Sequence, residues 1–356
     1  MADRILIVGA GAVGGYAGAH MARAGHEVIF LDPWPAHVDA MNKDGLTIRG
    51  VTEEEGFTQP VRALHLTDVQ ALSKEAPVDI AFVCVKSYDT AWATELALLP
   101  LASDGFVVSL QNGINEDTMA RVAGWGRTLG CIASKIVVEL EKPGWIQRNV
   151  PKGGEKYTVF RVGEAHGRIT PRAEKVRDLV ATADSAKATP NLWGERWSKL
   201  VQNAMGNGVS AATGLSVKEY HREEVTRRLS IRLAGEAIRT GLAHGYALEL
   251  INATAPEAWV AAADQLERGA NDAPELKDIE EKMLKAAEAM GDGARPSMGQ
   301  DMLKGRRTEI EHLNGLVAQR AAEAGLPAKA NLGLVRAVQT VEWGKAPAGV
   351  DRVRDI

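Results

Sequence analysis

The sequence predicts an N-terminal α/β domain built on a parallel sheet, followed by an all-α C-terminal domain. Three observations lead there. Ile5 to Asp32 (ILIVGAGAVGGYAGAHMARAGHEVIFLD) reads as strand, glycine turn, helix and strand; apolar strands and helical stretches then alternate; and strand-like runs disappear after about residue 190.

Ile5-Leu6-Ile7-Val8 is an uncharged apolar run, the mark of a strand buried on both faces. Gly9, Gly11 and Gly14 follow in G-x-G-x-x-G order. The first permits a tight turn, the second lets a pyrophosphate approach the backbone, and the third lets the helix pack close to the sheet. Ala12 and Val13 open a helix that runs to Ala24 and stops at Gly25. Val28 to Leu31 is the second strand, and Asp32 stands at its end, about 20 residues after the glycines, where an acid binds a ribose 2′-hydroxyl. A glycine turn in an unrelated α/β fold would leave Asp32 unexplained. The unit is a Rossmann-type dinucleotide-binding motif.

A helix near Ala36 to Asn42 and short strands at Leu46 to Arg49 and Val61 to Leu64 come next. Val78 to Val85 is a buried strand ending in Lys86, with a helix from about Thr90 to Leu99. Gly105 to Leu110 is a strand ending in Gln111-Asn112-Gly113, and Leu129 to Val138 reads as one more. Ligands of such sheets gather at the carboxyl ends of the strands, where the glycine turn, Asp32, Lys86 and Asn112 all fall.

The 356 residues suit two domains, and the change of pattern divides them into 1–190, dinucleotide-binding, and 191–356, helical and substrate-binding or catalytic. Apolar residues at 45% and charged residues at 25% are ordinary for a soluble enzyme. A net charge of −4 disfavours nucleic acid or an anionic membrane as partner. The two cysteines form no C-x-x-C, the eight histidines have no metal-ligand spacing, and no metal is expected. The N-terminus lacks a signal peptide and no apolar run reaches the length of a membrane span, so a cytoplasmic location is expected. Pro256 to Gly293 reads as solvated helices joined by polar loops.

Two segments of the helical half carry polar residues that packing alone would not require. In Trp197 to Asn207, the apolar stripe is Trp197, Leu200, Val201, Ala204 and Gly208; Lys199 and Asn203 share another face, and Asn207 continues their line one turn on. A partly buried lysine is a proton donor; a solvated lysine beside two ordinary asparagines is the plainer reading. In the second segment Ser297 and Gln300 form a capping box for a helix start. Glu309 borders a stripe of Leu303, Ile310, Leu313 and Val317, as a surface charge or a semi-buried polar partner.

The runs GAGAVGG, CVKSYDT, QNG, WSKLVQNAMGNGVSAATG and SMGQDMLKGRRTEIEHLNG resemble those of the ketopantoate reductases, from about residue 4 to 330. The glycine turn is common to many families; the lysine–asparagine–asparagine run and the S-M-x-Q-D…T-E-I run are far more specific. The resemblance implies a nicotinamide-dependent oxidoreductase acting on a 2-keto or 2-hydroxy acid such as 2-dehydropantoate. It implies that Lys199 is the general acid/base, Glu309 holds the substrate hydroxyl near the nicotinamide, and Asn203 and Asn207 orient substrate and lysine. Ser297 would meet the substrate carboxylate, Asn112 would lie at the cofactor–substrate junction, and Lys86 on the cofactor side.

One departure bears on the cofactor. Many members place an arginine after the second strand, for the 2′-phosphate of NADP. Pro33 stands there instead, Asp32 precedes it, and no arginine or lysine occurs from Asp32 to Asn42. NAD(H) is therefore expected over NADP(H). NAD suits catabolic oxidation, so another branched or aromatic D-2-hydroxy acid, or a larger secondary alcohol, is the alternative substrate. Lys142 to Lys156 and Pro256 to Gly293 look enlarged. A nucleotide-binding protein without chemistry is the reading from a different class; intact Lys199, Asn203 and Glu309 oppose it. A homodimer is the expected assembly.

Overall fold

The computed structural model describes residues 2–356, and the chain divides into two compact units, Met1–Leu192 and Trp193–Ile356. In the first unit the strands are β1 (Arg4–Val8), β2 (Glu27–Asp32), β3 (Leu46–Arg49), β4 (Phe57–Gln59), β5 (Arg62–His65), β6 (Val78–Val83), β7 (Leu101–Ser109), β8 (Thr128–Ala133), β9 (Val138–Lys142), β10 (Trp145–Arg148), β11 (Phe160–Gly163) and β12 (Ala186–Ala188). Its helices are α1 (Ala12–Arg23), α2 (Pro35–Asp44), α3 (Thr90–Leu98), α4 (Glu116–Ala123) and α5 (Pro171–Ala181).

The main sheet has the order β12-β11-β8-β7-β6-β1-β2-β5. It is parallel from β5 to β8, and β11 then runs antiparallel to β8. Alternation along β1 shows why the strand is apolar throughout. Ile5 and Ile7 enter a core with α1, α2 and α5, whereas Leu6 and Val8 enter another with α3 and α4.

A second sheet, β4-β3-β10-β9, was not expected. The stretch read as one strand from Leu129 to Val138 breaks at Ser134; Lys135 adopts φ 55°, and Val138 begins β9 in this second sheet. Ile48 and Ile146 pack it into the α1 side of the core.

The second unit is helical: α6 (Leu192–Ala204), α7 (Asn207–Thr213), α8 (Val217–Arg222), α9 (Glu224–Ala243), α10 (Pro256–Glu267), α11 (Pro274–Glu288), α12 (Ser297–Leu303), α13 (Asn314–Glu323) and α14 (Lys329–Glu342). α9 supports α6: Trp197 is fully buried and its Nε1 donates to the Ala237 carbonyl at 2.8 Å. Gly241 makes room, because a Cβ there would lie 2.3 Å from Trp197 Nε1. The segment Pro256 to Gly293 is more than solvated helices. Trp259, Ala262, Ala263, Leu276, Ile279 and Met283 are buried, so α10 and α11 each carry an apolar stripe.

Candidate active site

In the first unit the glycine turn has the geometry its residues demand. Gly9 takes φ 94°, and a Cβ there would sit 2.9 Å from the Val85 nitrogen. On Gly14 a Cβ would fall 2.2 Å from the Gly9 carbonyl oxygen and 2.6 Å from Cys84 Cβ. Cys84 is thus the surface against which α1 packs, and burial pushes its thiol up, away from reactivity. Gly11 differs: a Cβ would meet nothing within 4 Å. It is the N-cap of α1, without a side-chain cap and without an acidic residue in the first turn. The orphan N–H groups there, aided by the helix dipole, make an anion cradle that suits a pyrophosphate.

Asp32 does something its spacing did not reveal. It is buried, and its Oδ2 accepts from the Ala10 N–H at 2.8 Å while Oδ1 accepts from the Trp34 N–H at 2.9 Å. The acid therefore holds the glycine turn. A carboxylate oxygen accepts more than one hydrogen bond, so a ribose hydroxyl is compatible with this geometry.

β7, β6, β1 and β2 are neighbours, so Asn112, Lys86, the glycine turn and Asp32 follow the carboxyl ends of four adjacent parallel strands. Lys86 is half-buried and its carbonyl accepts from the Asp89 N–H at 2.9 Å. The Asn112 carbonyl accepts from Asn115 Nδ2 at 2.7 Å and from Ser87 Oγ at 3.3 Å. Gln111 Nε2 donates to the Val85 carbonyl and to Thr90 Oγ1, both at 2.9 Å. Ser87, Gln111 and Asn115 thus fasten the ends of β6 and β7 together. Their signal in the sequence, small polar residues just past apolar strands, was there to be read.

In the second unit the remaining candidates lie on α6, on α7 and on the segments that pack against α7. Lys199 is half-buried and Asn203 buried, one turn apart on α6. The helix stops at Ala204, and Gly206, at φ −132° and ψ −37°, restarts the chain as α7. Asn207 is therefore the first residue of a new helix and does not continue the Lys199–Asn203 line. Gly208 carries the reason for a small residue: a Cβ would come within 2.9 Å of Ile310 Cδ1. That contact sets Asn207–Gly208 beside Glu309–Ile310. Gly299 likewise packs on Ser210, its Cβ position 2.5 Å from Ser210 Oγ, which brings α12 and its first residue Ser297 to α7.

Two expectations for this segment fail. Ser297 and Gln300 form no capping box: Pro296 occupies the N-cap, no side chain caps the helix, and Gln300 Nε2 turns back to the Arg295 carbonyl at 3.1 Å. The stripe through Leu303 does not exist either, because Leu303 is 70% exposed at the end of α12. Glu309 lies on no helix face. It precedes the short 3-10 turn Ile310–His312, buried to 4% exposure, and its carbonyl accepts from the Leu313 N–H at 3.0 Å. Of the two readings, the buried one holds. Asn314, fully buried, was quoted only within a motif, yet its Nδ2 donates to the Ala204 carbonyl and to Asn331 Oδ1, both at 2.9 Å. It ties down the end of the helix that carries Lys199.

Among the described residues no cluster of three or more His, Cys, Asp or Glu could hold a metal, and no helix is long and apolar enough to cross a membrane.

A family model described as ketopantoate reductase PanE/ApbA matches residues 5–159, and its C-terminal companion matches residues 191–342. A 2-dehydropantoate 2-reductase of Archaeoglobus fulgidus is 30% identical over 348 residues, 96% of this chain and 99% of its own. A PanE/ApbA family ketopantoate reductase structure from Ralstonia eutropha JMP134 superposes with a TM-score of 0.76 at 27% identity, covering 96% of this chain and 99% of that one. D-mandelate dehydrogenase with NADH and anilino(oxo)acetate gives a TM-score of 0.75 at 19% identity, over 96% of this chain and 99% of that one; this is a likeness of fold.

Proposed function

The chain belongs to the ketopantoate reductase family, and from that premise we propose that it transfers hydride between NAD(H) and a 2-keto or 2-hydroxy acid, with 2-dehydropantoate the leading substrate. It is an oxidoreductase acting on CH–OH. The observation that supports the reading is the packing of Ile310 and of α12 on α7, with the polar residues Asn207 and Glu309 buried beside it. Asn207 opens α7, a few residues after Lys199 and Asn203, and Ser297 and Glu309 belong to the segments that pack on α7.

In this reading the first unit binds the dinucleotide and the second binds and turns over the substrate. The backbone at Gly9, Gly11, Ala12, Val13 and Gly14 holds the pyrophosphate, with Asp32, Lys86 and Asn112 along the same strand ends. When bound, the nicotinamide supplies or accepts the hydride. As negative charge grows on the carbonyl oxygen, the Lys199 ammonium stabilises it and donates the proton; in the other direction the lysine takes the proton up. Asn203 and Asn207 orient the lysine and the substrate. Glu309 accepts from the substrate hydroxyl, and Ser297 donates to its carboxylate.

The preference for NAD(H) rests on charge. A buried carboxylate at the end of β2 repels a 2′-phosphate, and no cation from Asp32 to Asn42 offsets it. The same observation favours a second reading, oxidation of another branched or aromatic D-2-hydroxy acid. A panel of 2-keto acids with NADH and NADPH, and of 2-hydroxy acids with NAD and NADP, followed by nicotinamide absorbance, tests both. Turnover of 2-dehydropantoate with NADH supports the first reading, turnover of an aromatic hydroxy acid alone supports the second, and turnover of no keto or hydroxy acid refutes both.

A further inference from the structure

We propose that His37 is a positioning residue for the dinucleotide site: its imidazole locks the glycine turn to the second sheet and so aims the backbone N–H groups at the pyrophosphate. The inference rests on the proposed dinucleotide site and names a residue that neither the glycine motif nor the family resemblance includes.

His37 lies on α2 and is fully buried. The Gly144 N–H meets its Nδ1 at 2.9 Å, and its Nε2 lies 2.9 Å from the Ala10 carbonyl oxygen. An amide N–H can only donate, so Nδ1 is the acceptor. The ring proton therefore sits on Nε2 and is donated to Ala10.

Ala10 stands between Gly9 and Gly11, after β1 has ended and before α1 begins. Glycines on both sides leave the backbone little intrinsic preference. Yet both polar groups of Ala10 are held by side chains, the N–H by Asp32 Oδ2 at 2.8 Å and the carbonyl by His37. Fixing the Ala10 carbonyl fixes the peptide plane that leads into Gly11, the N-cap whose surroundings are open.

The other end of the imidazole gives the enlarged segment from Lys142 a purpose. Gly144, at φ 75°, makes the β9–β10 turn, and its carbonyl accepts from the Thr47 N–H at 2.8 Å. The second sheet is thus a buttress whose turn reaches the phosphate cradle through one ring. No apolar side chain can bridge a donor and an acceptor in this way. Asparagine reproduces the Nδ1 position, and glutamine the Nε2 position.

The test compares wild type, His37→Asn and His37→Gln by NADH fluorescence titration and by steady-state kinetics. His37→Asn keeps the Gly144 bond and loses the Ala10 bond. It should raise the Kd and KM for NADH about tenfold, with kcat at saturating NADH and KM for the keto acid within about twofold. His37→Gln should restore NADH binding to within about threefold of wild type. Equal NADH affinity in all three proteins overturns the proposal. So does an equal loss in kcat and both KM values that tracks a lowered Tm, since that marks a merely structural role. Wild type that binds neither NADH nor NADPH would instead overturn the dinucleotide site itself, and this outcome is visible before any variant is made.

Discussion

Replacing Asp32 by asparagine separates its hold on the glycine turn from the part proposed for it in cofactor choice. Oδ2 accepts from the Ala10 N–H at 2.8 Å and Oδ1 from the Trp34 N–H at 2.9 Å. Asparagine keeps one acceptor and turns an amide N–H toward a backbone N–H. The unsatisfied donor costs about 1–3 kcal/mol, and this cost falls on the turn whichever dinucleotide binds. The lost charge acts on one cofactor only. A unit charge 4 Å from another is worth about 1 kcal/mol in water and about 4 kcal/mol at an effective dielectric of 20. At the weaker limit, removing it shifts the ratio of NADPH to NADH affinity about fivefold toward NADPH. Fluorescence titration of both cofactors against wild type and Asp32→Asn reads the two effects separately. The expected result is weaker NADH binding and an affinity ratio moved by about fivefold or more toward NADPH. A ratio unchanged within about twofold, with both affinities reduced alike, would leave Asp32 as a turn holder without a part in cofactor choice.

Arg148 and Asp184 form a buried pair at 2.5 Å, and Arg148 also donates to Tyr16 and to the Val150 and Pro151 carbonyls, pinning the chain beyond β10. Arg148→Met should cost about 3–5 kcal/mol and lower Tm by roughly 6–20 °C in thermal unfolding; a loss under about 1 kcal/mol would contradict this. Burial alone would raise the Asp184 carboxyl, but the Ser185 and Gly153 N–H groups and Arg148 outweigh it and hold it below the usual carboxylate range. Its contribution is therefore present above a pH of about 4 and lost as pH falls through the lowered folded value, so the gap between wild type and Arg148→Met should narrow in acid. His20 behaves in the opposite sense to an ordinary paired histidine. Burial first, then the charges of Lys152, Arg23 and Arg148, lower its imidazole to about 3, and its buried Nε2 has no hydrogen-bond partner. The unfolded chain takes up that proton below a pH of about 6.5 while the folded one does not, so stability should fall by about 2 kcal/mol between pH 7 and pH 5 through this residue. Urea unfolding at both pH values should show this drop in wild type and not in His20→Phe; the same drop in both would assign it elsewhere.

The parallel core of the first unit was legible because β1, β6 and the second half of β7 are mostly apolar runs, and burial on both faces requires them to be. The second sheet was not. β3, β4, β9 and β10 are three to five residues long and part polar, and β10 pairs with β3 about a hundred residues away, which no local pattern encodes. The same limit hid His37, a single histidine on a short helix whose partners, Ala10 and Gly144, come from opposite directions along the chain. Lys199 and Asn203 were legible as a helical face. Asn207 does not continue the Lys199–Asn203 line, since α6 ends at Ala204 and a new helix starts after Gly206; packing of Gly208 on Ile310, not helical phase, sets it near Glu309. Ser297 misled because its spacing to Gln300 suits a capping box, whereas Pro296 takes the N-cap and Ser297 begins the helix.

Lys199 is proposed to handle the proton, and the first unit to hold the pyrophosphate and ribose of the dinucleotide. Lys199→Ala, assayed with the 2-keto acid that wild type turns over and titrated with NADH, tests this most directly. The kcat should fall by at least about 10²-fold, the usual yield of a positioned proton donor, with NADH affinity within about threefold of wild type. A variant that keeps most of its kcat, or loses NADH binding in step with turnover, contradicts this.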